Sequence, residues 1–306
     1  MIGERRTKRS SRWLALIVLL FSCSWSGLYA QDFLPQQPPL ESRLKEVKPL
    51  GEWRAGGDTI RVKVAFPEAF RQTGPNVLID SLGLLQPVLE HLHLVRAGLS
   101  EDTVRIVHIG DSHVRGHIYP QTTGTRLIEA FGAVSYIDKG VNGATCLTFT
   151  HPKRIDEVAN LKPELLILSF GTNESHNRRY NAHLHYHQLD ELVKLLRLRL
   201  PDVPILLTTP PGAYESFRKQ KRRRTYVINP RTATAVATIH RYAKEHRLLV
   251  WDLYEVVGGK SRACLNWTAA RLMRSDHVHF LPEGYILQGN LLYQALITAY
   301  NDYVSY

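Results

Sequence analysis

The chain has 306 residues, 44% of them hydrophobic, and a formal net charge of +11 at pH 7. That length and composition support one sizeable core and little beyond it. The three cysteines show no paired spacing of the kind that holds zinc, and the positive charge comes without the aromatic-interleaved basic motif of nucleic-acid binders.

Residues 1–12 carry Arg5, Arg6, Lys8, Arg9 and Arg12 against one acid, Glu4. An apolar run from Trp13 to Phe21 follows, and small and polar residues lead to Ala30-Gln31. A basic flank, a short apolar core and a small-residue exit describe a secretory signal peptide over residues 1–30. The run falls well short of the ~20 residues a spanning helix needs, and no other stretch approaches that length. Leu28 is large for its place two residues before the cut after Ala30. Leu20-Phe21-Ser22-Cys23 resembles a lipoprotein cleavage box with Phe21 out of pattern, which keeps a lipid anchor at Cys23 open. Removing the leader leaves 34 basic against 27 acidic residues, a net +7.

Residues 31–77 contain Pro35-Gln36-Gln37-Pro38-Pro39 and little apolar periodicity, and read as a linker or extension ahead of a domain at 78–306. Within Leu78–Leu99, the residues Leu82, Leu85, Val88, Leu92 and Val95 have helical spacing. Strands and helices then alternate. Strands are expected at Val104–Ile109, Ala133–Ile137, Glu164–Phe170, Pro204–Thr209 and Leu248–Leu253. Helices are expected to end near Phe131, to span Tyr186–Leu200 and Thr232–His246, and to run from Pro282 to about Tyr300, with proline in the first turn. The strand "ELLILSF" is apolar throughout, as when both faces are covered. This alternation predicts an α/β fold with a five-stranded parallel sheet and helices on both faces.

Six positive charges crowd one short stretch: Arg218, Lys219, Lys221, Arg222, Arg223 and Arg224. They form either a solvated loop or a rim that attracts an anionic glycan or envelope polymer. Cys146 and Cys264 remain after export; such a pair can form one disulfide in an oxidising compartment, and the spacing does not decide it.

In open parallel sheets, ligands bind just beyond the carboxyl ends of the strands. The first strand ends in Gly110-Asp111-Ser112-His113, the second in Gly140-Val141-Asn142-Gly143-Ala144-Thr145, and the third in Gly171-Thr172-Asn173-Glu174. Each loop combines glycine, which admits close backbone approach, with small polar residues. "SDHVHF", Ser275 to Phe280, precedes the last helix, and its Asp276 and His279 stand three apart, so the carboxylate can turn back onto the imidazole. Serine catalysis needs a base for the hydroxyl proton, a group that fixes the imidazole tautomer, and donors facing the developing oxyanion. Ser112 is thus the candidate nucleophile, His279 the base and Asp276 the orienting acid. The backbone N–H groups of Ser112 and Gly143 and the side-chain amide of Asn173 are the candidate oxyanion donors.

These four blocks, met in order by Ser112 in "GDSH", Gly143 in "GVNGAT", Asn173 in "GTNE" and His279 in "DHVH", make residues 78–306 resemble an SGNH hydrolase of the GDSL type. The resemblance implies a flavodoxin-like three-layer α/β/α sandwich and metal-free hydrolysis of esters, often acetyl esters. The "GDSH" block, with "GVNGAT" and "DHVHF", is more similar to envelope O-acetylesterases acting on peptidoglycan or related glycans than to lipases, which usually have leucine after the serine. Some of those esterases carry an inserted carbohydrate-binding module, for which residues 31–75 are too few. Arg222, Arg223 and Arg224 are therefore the candidate polymer grip.

Other motifs read more plainly. His277 follows Asp276 directly and is expected to project away from the pocket, and Asp111 is expected to brace the serine loop. His183 and His187 share a helix face, with His185 between them, but no nearby Glu completes a metalloprotease pattern. "NES" at Asn173 also matches a glycosylation sequon, and "GGKS" at Gly258–Ser261 lacks the first glycine of a phosphate loop. The glycine-x-serine-x-glycine elbow is absent.

The expected protein is an exported, periplasmic or extracellular serine esterase that takes short acyl groups from a glycan through an acyl-serine. It is expected to use no cofactor and no nucleic-acid partner. The same residues would serve an O-acetyltransferase or a lipase- or thioesterase-type acylhydrolase. From another class, a non-catalytic glycan-binding protein could keep the fold. The sequence does not set the oligomeric state.

Overall fold

The computed structural model describes residues 59–217 and 224–305; the leader at 1–30, Cys23 and the basic residues Arg222 and Arg223 lie outside them. In chain order the elements are β1 (Leu78–Ile79), α1 (Gln86–Arg96), β2 (Val104–Gly110), α2 (Ser112–Arg115), α3 (Ile118–Phe131) and β3 (Val134–Gly140). A 3-10 turn (Cys146–Phe149) leads to α4 (Pro152–Asn160), β4 (Leu165–Ser169), α5 (Thr172–His176), α6 (Ala182–Arg199) and β5 (Ile205–Thr208). Then come β6 (Tyr214–Phe217), β7 (Thr225–Ile228), α7 (Arg231–His246), β8 (Leu249–Trp251), α8 (Leu253–Val256), α9 (Gly259–Ala269) and α10 (Pro282–Val304).

The main sheet has the order β1-β8-β5-β4-β2-β3. Side chains alternate across a strand, so each strand supplies both faces. Val104 and Ile106 of β2 and Leu165 and Ile167 of β4 join one core cluster with residues of α1, α3 and α10, such as Leu92, Leu127 and Leu291. Val107, Ile109, Leu166 and Leu168 join the other, with Ile155, Leu189, Leu192 and Ile239 of α4, α6 and α7. Both faces of β4 are covered, which is why its sequence carries no polar alternation.

The five expected strands are present and mutually parallel. A sixth, β1, pairs antiparallel with β8 through Leu78↔Trp251 and Ile79↔Val250. The helix expected across Leu78–Leu99 therefore starts only at Gln86. Asp80 explains this: its carboxylate accepts the N–H groups of Leu84 and Leu85, both at 2.9 Å, and closes a turn between strand and helix.

Residues 59–77, expected to be linker, pack onto the domain instead. Ile60, Val64 and Phe70 are buried in the first core cluster. Two asparagines hold this segment as a neighbouring strand would. Asn301 receives the Ile60 N–H and donates to the Ile60 carbonyl, both at 2.7 Å. Asn266 does the same for Arg71, at 2.9 and 2.8 Å.

The basic stretch lies between β6 and β7, which pair antiparallel through Tyr214↔Ile228; of its six charges, all but Arg224 lie outside the described residues. Arg224, at the start of the second strand's approach, is exposed. Cys146 and Cys264 are buried and unpaired. Among the described residues, no helix is long and apolar enough to cross a membrane.

Candidate active site

Sheet register brings three loops to one level. Gly110, the last residue of β2, lies opposite Gly140 of β3 on one side and Ser169 of β4 on the other. The short helix α2 folds straight back over these strand ends. A Cβ on Gly110 would stand 2.5 Å from Val114 Cγ2 and 2.6 Å from the Ser169 carbonyl, and one on Gly140 would stand 2.0 Å from Arg115 N. Only glycine fits under the helix at these two places. Asp111 caps α2 by accepting the His113 N–H at 2.9 Å, which makes Ser112 the first helical residue. Its own N–H is thereby left without a helical acceptor.

The loop before α10 supplies the other two groups. Ser112 Oγ lies 2.9 Å from His279 Nε2, and His279 Nδ1 lies 2.9 Å from Asp276 Oδ2. The other carboxylate oxygen, Oδ1, accepts the Val278 and His279 N–H groups, each at 2.9 Å. Partial burial works against the Asp276 charge, but these N–H bonds and the imidazole outweigh it and hold the carboxyl below its ordinary range. The loop is pinned on both sides: Arg274 N–H donates to the His279 carbonyl at 2.8 Å, and Phe280 bridges to Met273. Phe280 is buried against Trp267, ring centroids 4.7 Å apart. His277 turns the other way, its ring against Tyr226 at 4.2 Å and Tyr214 at 5.3 Å.

The other expected oxyanion groups lie on the loops after β3 and β4. Gly143 has φ +72°, a conformation that side chains other than Gly rarely adopt, and sits in the loop after β3. Asn173, in α5, donates one amide N–H to the Ala144 carbonyl at 2.8 Å; Nδ2 is 3.5 Å from Asp111 Oδ2. The Ala144 bond ties Asn173 to the Gly143 loop.

Two supporting residues went unassigned in the sequence. Glu174 is buried, and its carboxylate accepts the Cys146 N–H at 2.8 Å and the Gly171 N–H at 2.9 Å. It thereby clamps the loop bearing Gly143 to the turn bearing Asn173. Its signal was the Gly171-x-x-Glu174 spacing of a capping box, obscured because glycine replaces the usual Ser or Thr. His113 lies behind His279, ring centroids 5.5 Å apart, with Nδ1 3.1 Å from the Tyr285 hydroxyl. Burial, and then the neighbouring His279, push its pKa down to about 3, so it stays neutral. Asp111 is also buried; desolvation, partly offset by the His113 N–H, raises its carboxyl to about 7.

The structure thus joins Ser112, His279 and Asp276 in one hydrogen-bonded chain and ties Asn173 to Asp111, beside Ser112, and to Ala144, beside Gly143. The arrangement can take a proton from a serine hydroxyl and stabilise negative charge beside it. The family model described as GDSL-like Lipase/Acylhydrolase family matches residues 108–287, more than half of the chain. No curated protein matches the chain. Among solved structures, one described as "Peptidoglycan O-acetylesterase in action, 5 min" has a TM-score of 0.64 at 17% identity, covering 74% of this chain and 99% of its own. A putative GDSL-like lipase from Parabacteroides merdae has a TM-score of 0.50 at 18% identity, covering 63% of this chain and 95% of its own. At these identities the likeness is one of fold.

Proposed function

We propose, from the premise that the chain belongs to the GDSL-like lipase/acylhydrolase family, that it is an exported serine esterase removing O-acetyl groups from a glycan of the peptidoglycan type. The observation that carries the reading is the unbroken hydrogen-bonded chain from Asp276 through His279 to Ser112, 2.9 Å at each step. Ser112 Oγ attacks the acetyl carbonyl while His279 Nε2 takes the hydroxyl proton. The imidazolium then gives that proton to the departing sugar oxygen, leaving acetyl-Ser112. Water, deprotonated by the same nitrogen, attacks the acetyl-serine, and acetate leaves as Ser112 recovers its proton. Asp276 holds the Nδ1–H tautomer throughout. The oxyanion donors are the Ser112 and Gly143 N–H groups and the second N–H of the Asn173 amide, which exchanges its long 3.5 Å contact with Asp111 Oδ2 for the oxyanion, a single such donor being worth about 3–4 kcal/mol of barrier.

The choice of an acetylated glycan is supported by the envelope-type blocks around Ser112 and by the fold shared with a peptidoglycan O-acetylesterase. The leader supports export. Arg222, Arg223 and Arg224 are the grip for an anionic polymer: the β6–β7 ribbon that leads to them is bonded to the histidine loop, Tyr214 N–H to the His277 carbonyl at 2.9 Å.

Acetate release by wild type and Ser112→Ala from O-acetylated peptidoglycan, acetylated xylan and aryl acetates tests the reading. Loss of on the order of 10³-fold or more is expected for the variant. Unchanged release by the variant rules out Ser112 as the nucleophile, and no release by either form leaves a glycan-binding role. Net acetyl transfer to an added sugar, or preference for long-chain aryl esters, would instead assign a transferase or a lipase.

A further inference from the structure

Beneath the loops of Gly143 and Asn173, three buried side chains with metal-binding atoms converge. The Cys146 sulfur, a Glu174 carboxylate oxygen and a ring nitrogen of His185 lie within 4.8 Å of one another. They come from the 3-10 turn, α5 and α6, and none is more than 5% exposed. His185 is the middle member of the His183-x-His185-x-His187 run. Its neighbours in that run are exposed and touch each other at 3.0 Å, while His185 faces the core.

One atom of this cluster lacks a partner. His185 Nδ1 pairs with the Tyr180 hydroxyl at 3.0 Å, and Nε2 is buried with no hydrogen bond. An unpaired buried polar atom costs about 1–3 kcal/mol. With the Tyr180 hydroxyl donating to Thr238 Oγ1, 3.1 Å away, its oxygen can accept an N–H from Nδ1; in that tautomer the imidazole presents a bare Nε2 lone pair, the form in which histidine binds metals. Cys146 and His185 also line a cavity of about 10 Å³, roughly the space of one water-sized sphere. Glu174 has no ion-pair partner among the described residues; its charge is met by backbone N–H groups and the Cys146 thiol.

We propose that Cys146, Glu174 and His185 bind one divalent cation of the zinc class, as a structural tie below the oxyanion loops rather than a catalytic centre. A sulfur, nitrogen and carboxylate set suits zinc, whereas calcium and magnesium take oxygen ligands. Zinc bonds of ~2.0–2.3 Å would place tetrahedral ligand atoms roughly 3.3–3.8 Å apart, so the cluster closes by about 1 Å on binding. Cys146 would bind as the thiolate, releasing its proton to solvent, with a water from the cavity as fourth ligand. Because binding as the thiolate releases a proton, loading strengthens as pH rises. The site stands whether or not the substrate is a glycan ester.

The test uses the full chain carrying His183→Ala and His187→Ala, which removes the exposed histidine pair as a competing site. Titration with cobalt(II) should give a thiolate-to-cobalt band in the near ultraviolet and intense tetrahedral visible bands, both stronger at pH 8 than at pH 6. After zinc loading and dialysis, elemental analysis should find about one zinc per chain. Cys146→Ser and His185→Gln should each weaken zinc binding at least tenfold, and a chelator should lower the melting temperature of the zinc-loaded protein alone. Absence of the thiolate–cobalt band overturns the proposal without reliance on any further variant, as does equal zinc retention by both variants.

Discussion

Asp276→Asn isolates one atom. Asp276 Oδ1 already receives two backbone N–H groups, and Oδ2 receives the imidazole. An asparagine that keeps its oxygen at the Oδ1 position preserves both backbone bonds but turns an NH2 toward His279 Nδ1. Reversing the amide would expose those two N–H groups to a donor, at about 0.5–1.5 kcal/mol per lost bond. The imidazole therefore gives way: Nδ1 becomes the acceptor and the proton moves to Nε2, which faces Ser112 Oγ at 2.9 Å. In that tautomer Nε2 donates to the serine and cannot take its proton. The comparable substitution in a serine protease costs about 10⁴-fold in kcat. Here Asp276 is 47% exposed, so water can restore part of the productive tautomer, and a kcat loss of roughly 10³–10⁴-fold is expected, about 4–5 kcal/mol of barrier. Because the backbone bonds survive, the melting temperature should hardly change. Steady-state hydrolysis of an aryl acetate together with thermal denaturation checks both halves. A variant retaining more than a tenth of wild-type kcat would refute the tautomer reasoning.

Glu174→Gln leaves one oxygen for two N–H donors, from Cys146 and Gly171, and should lower kcat on the order of 10-fold with KM little changed. A drop in melting temperature with full kcat would reduce Glu174 to a purely structural role. Asp111, with an ordinary carboxyl pKa of 3.8 raised by burial to about 7, keeps in the folded state a proton that the unfolded chain has lost between those values. Its contribution is thus fully present at acid pH and disappears as pH rises through about 7, by up to about 4 kcal/mol. Urea unfolding should accordingly show Asp111→Asn gaining stability relative to wild type at pH 8 compared with pH 4; parallel pH curves would contradict this. Asn301→Ala deletes both bonds to Ile60 and should cost about 1–3 kcal/mol, or roughly 3–10 °C in melting temperature; no change would mean that the Asn301 bonds do not hold the start of this segment.

The legible parts of the molecule were those whose cause is local. An apolar strand followed by glycine and a small polar residue is a pattern of about ten residues, and the carboxyl-edge rule turns three such patterns into one site. Asp276 and His279 were legible for the same reason, since the carboxylate turns back within its own loop. The illegible parts depend on single polar side chains acting across the chain. Asn301 grips Ile60 from 241 residues away and Asn266 grips Arg71 from 195 away, and neither leaves a periodic trace in residues 59–77. β1 has two residues, too few for alternation to register. Glu174 follows the expected oxyanion residue directly, yet its partner is the backbone of Cys146, on another loop.

The same distinction separates the histidines around the site. His108, His113 and His279 all lie in or beside the serine loop's surroundings, and type alone would nominate any of them as base. His108 is fully buried and spends both ring nitrogens, on the Tyr136 hydroxyl at 2.8 Å and on Ser169 Oγ at 2.6 Å, and burial lowers its pKa to about 3. It braces the end of β4, whose Ser169 carbonyl accepts the Asp111 N–H at 3.3 Å. His113 is equally buried and neutral. Only His279 is a third exposed, has a carboxylate on Nδ1 and presents Nε2 to a hydroxyl. A general base must gain and release a proton in each half-reaction and admit a water in the second. Access to solvent, together with a carboxylate partner on Nδ1, is what the two buried rings lack.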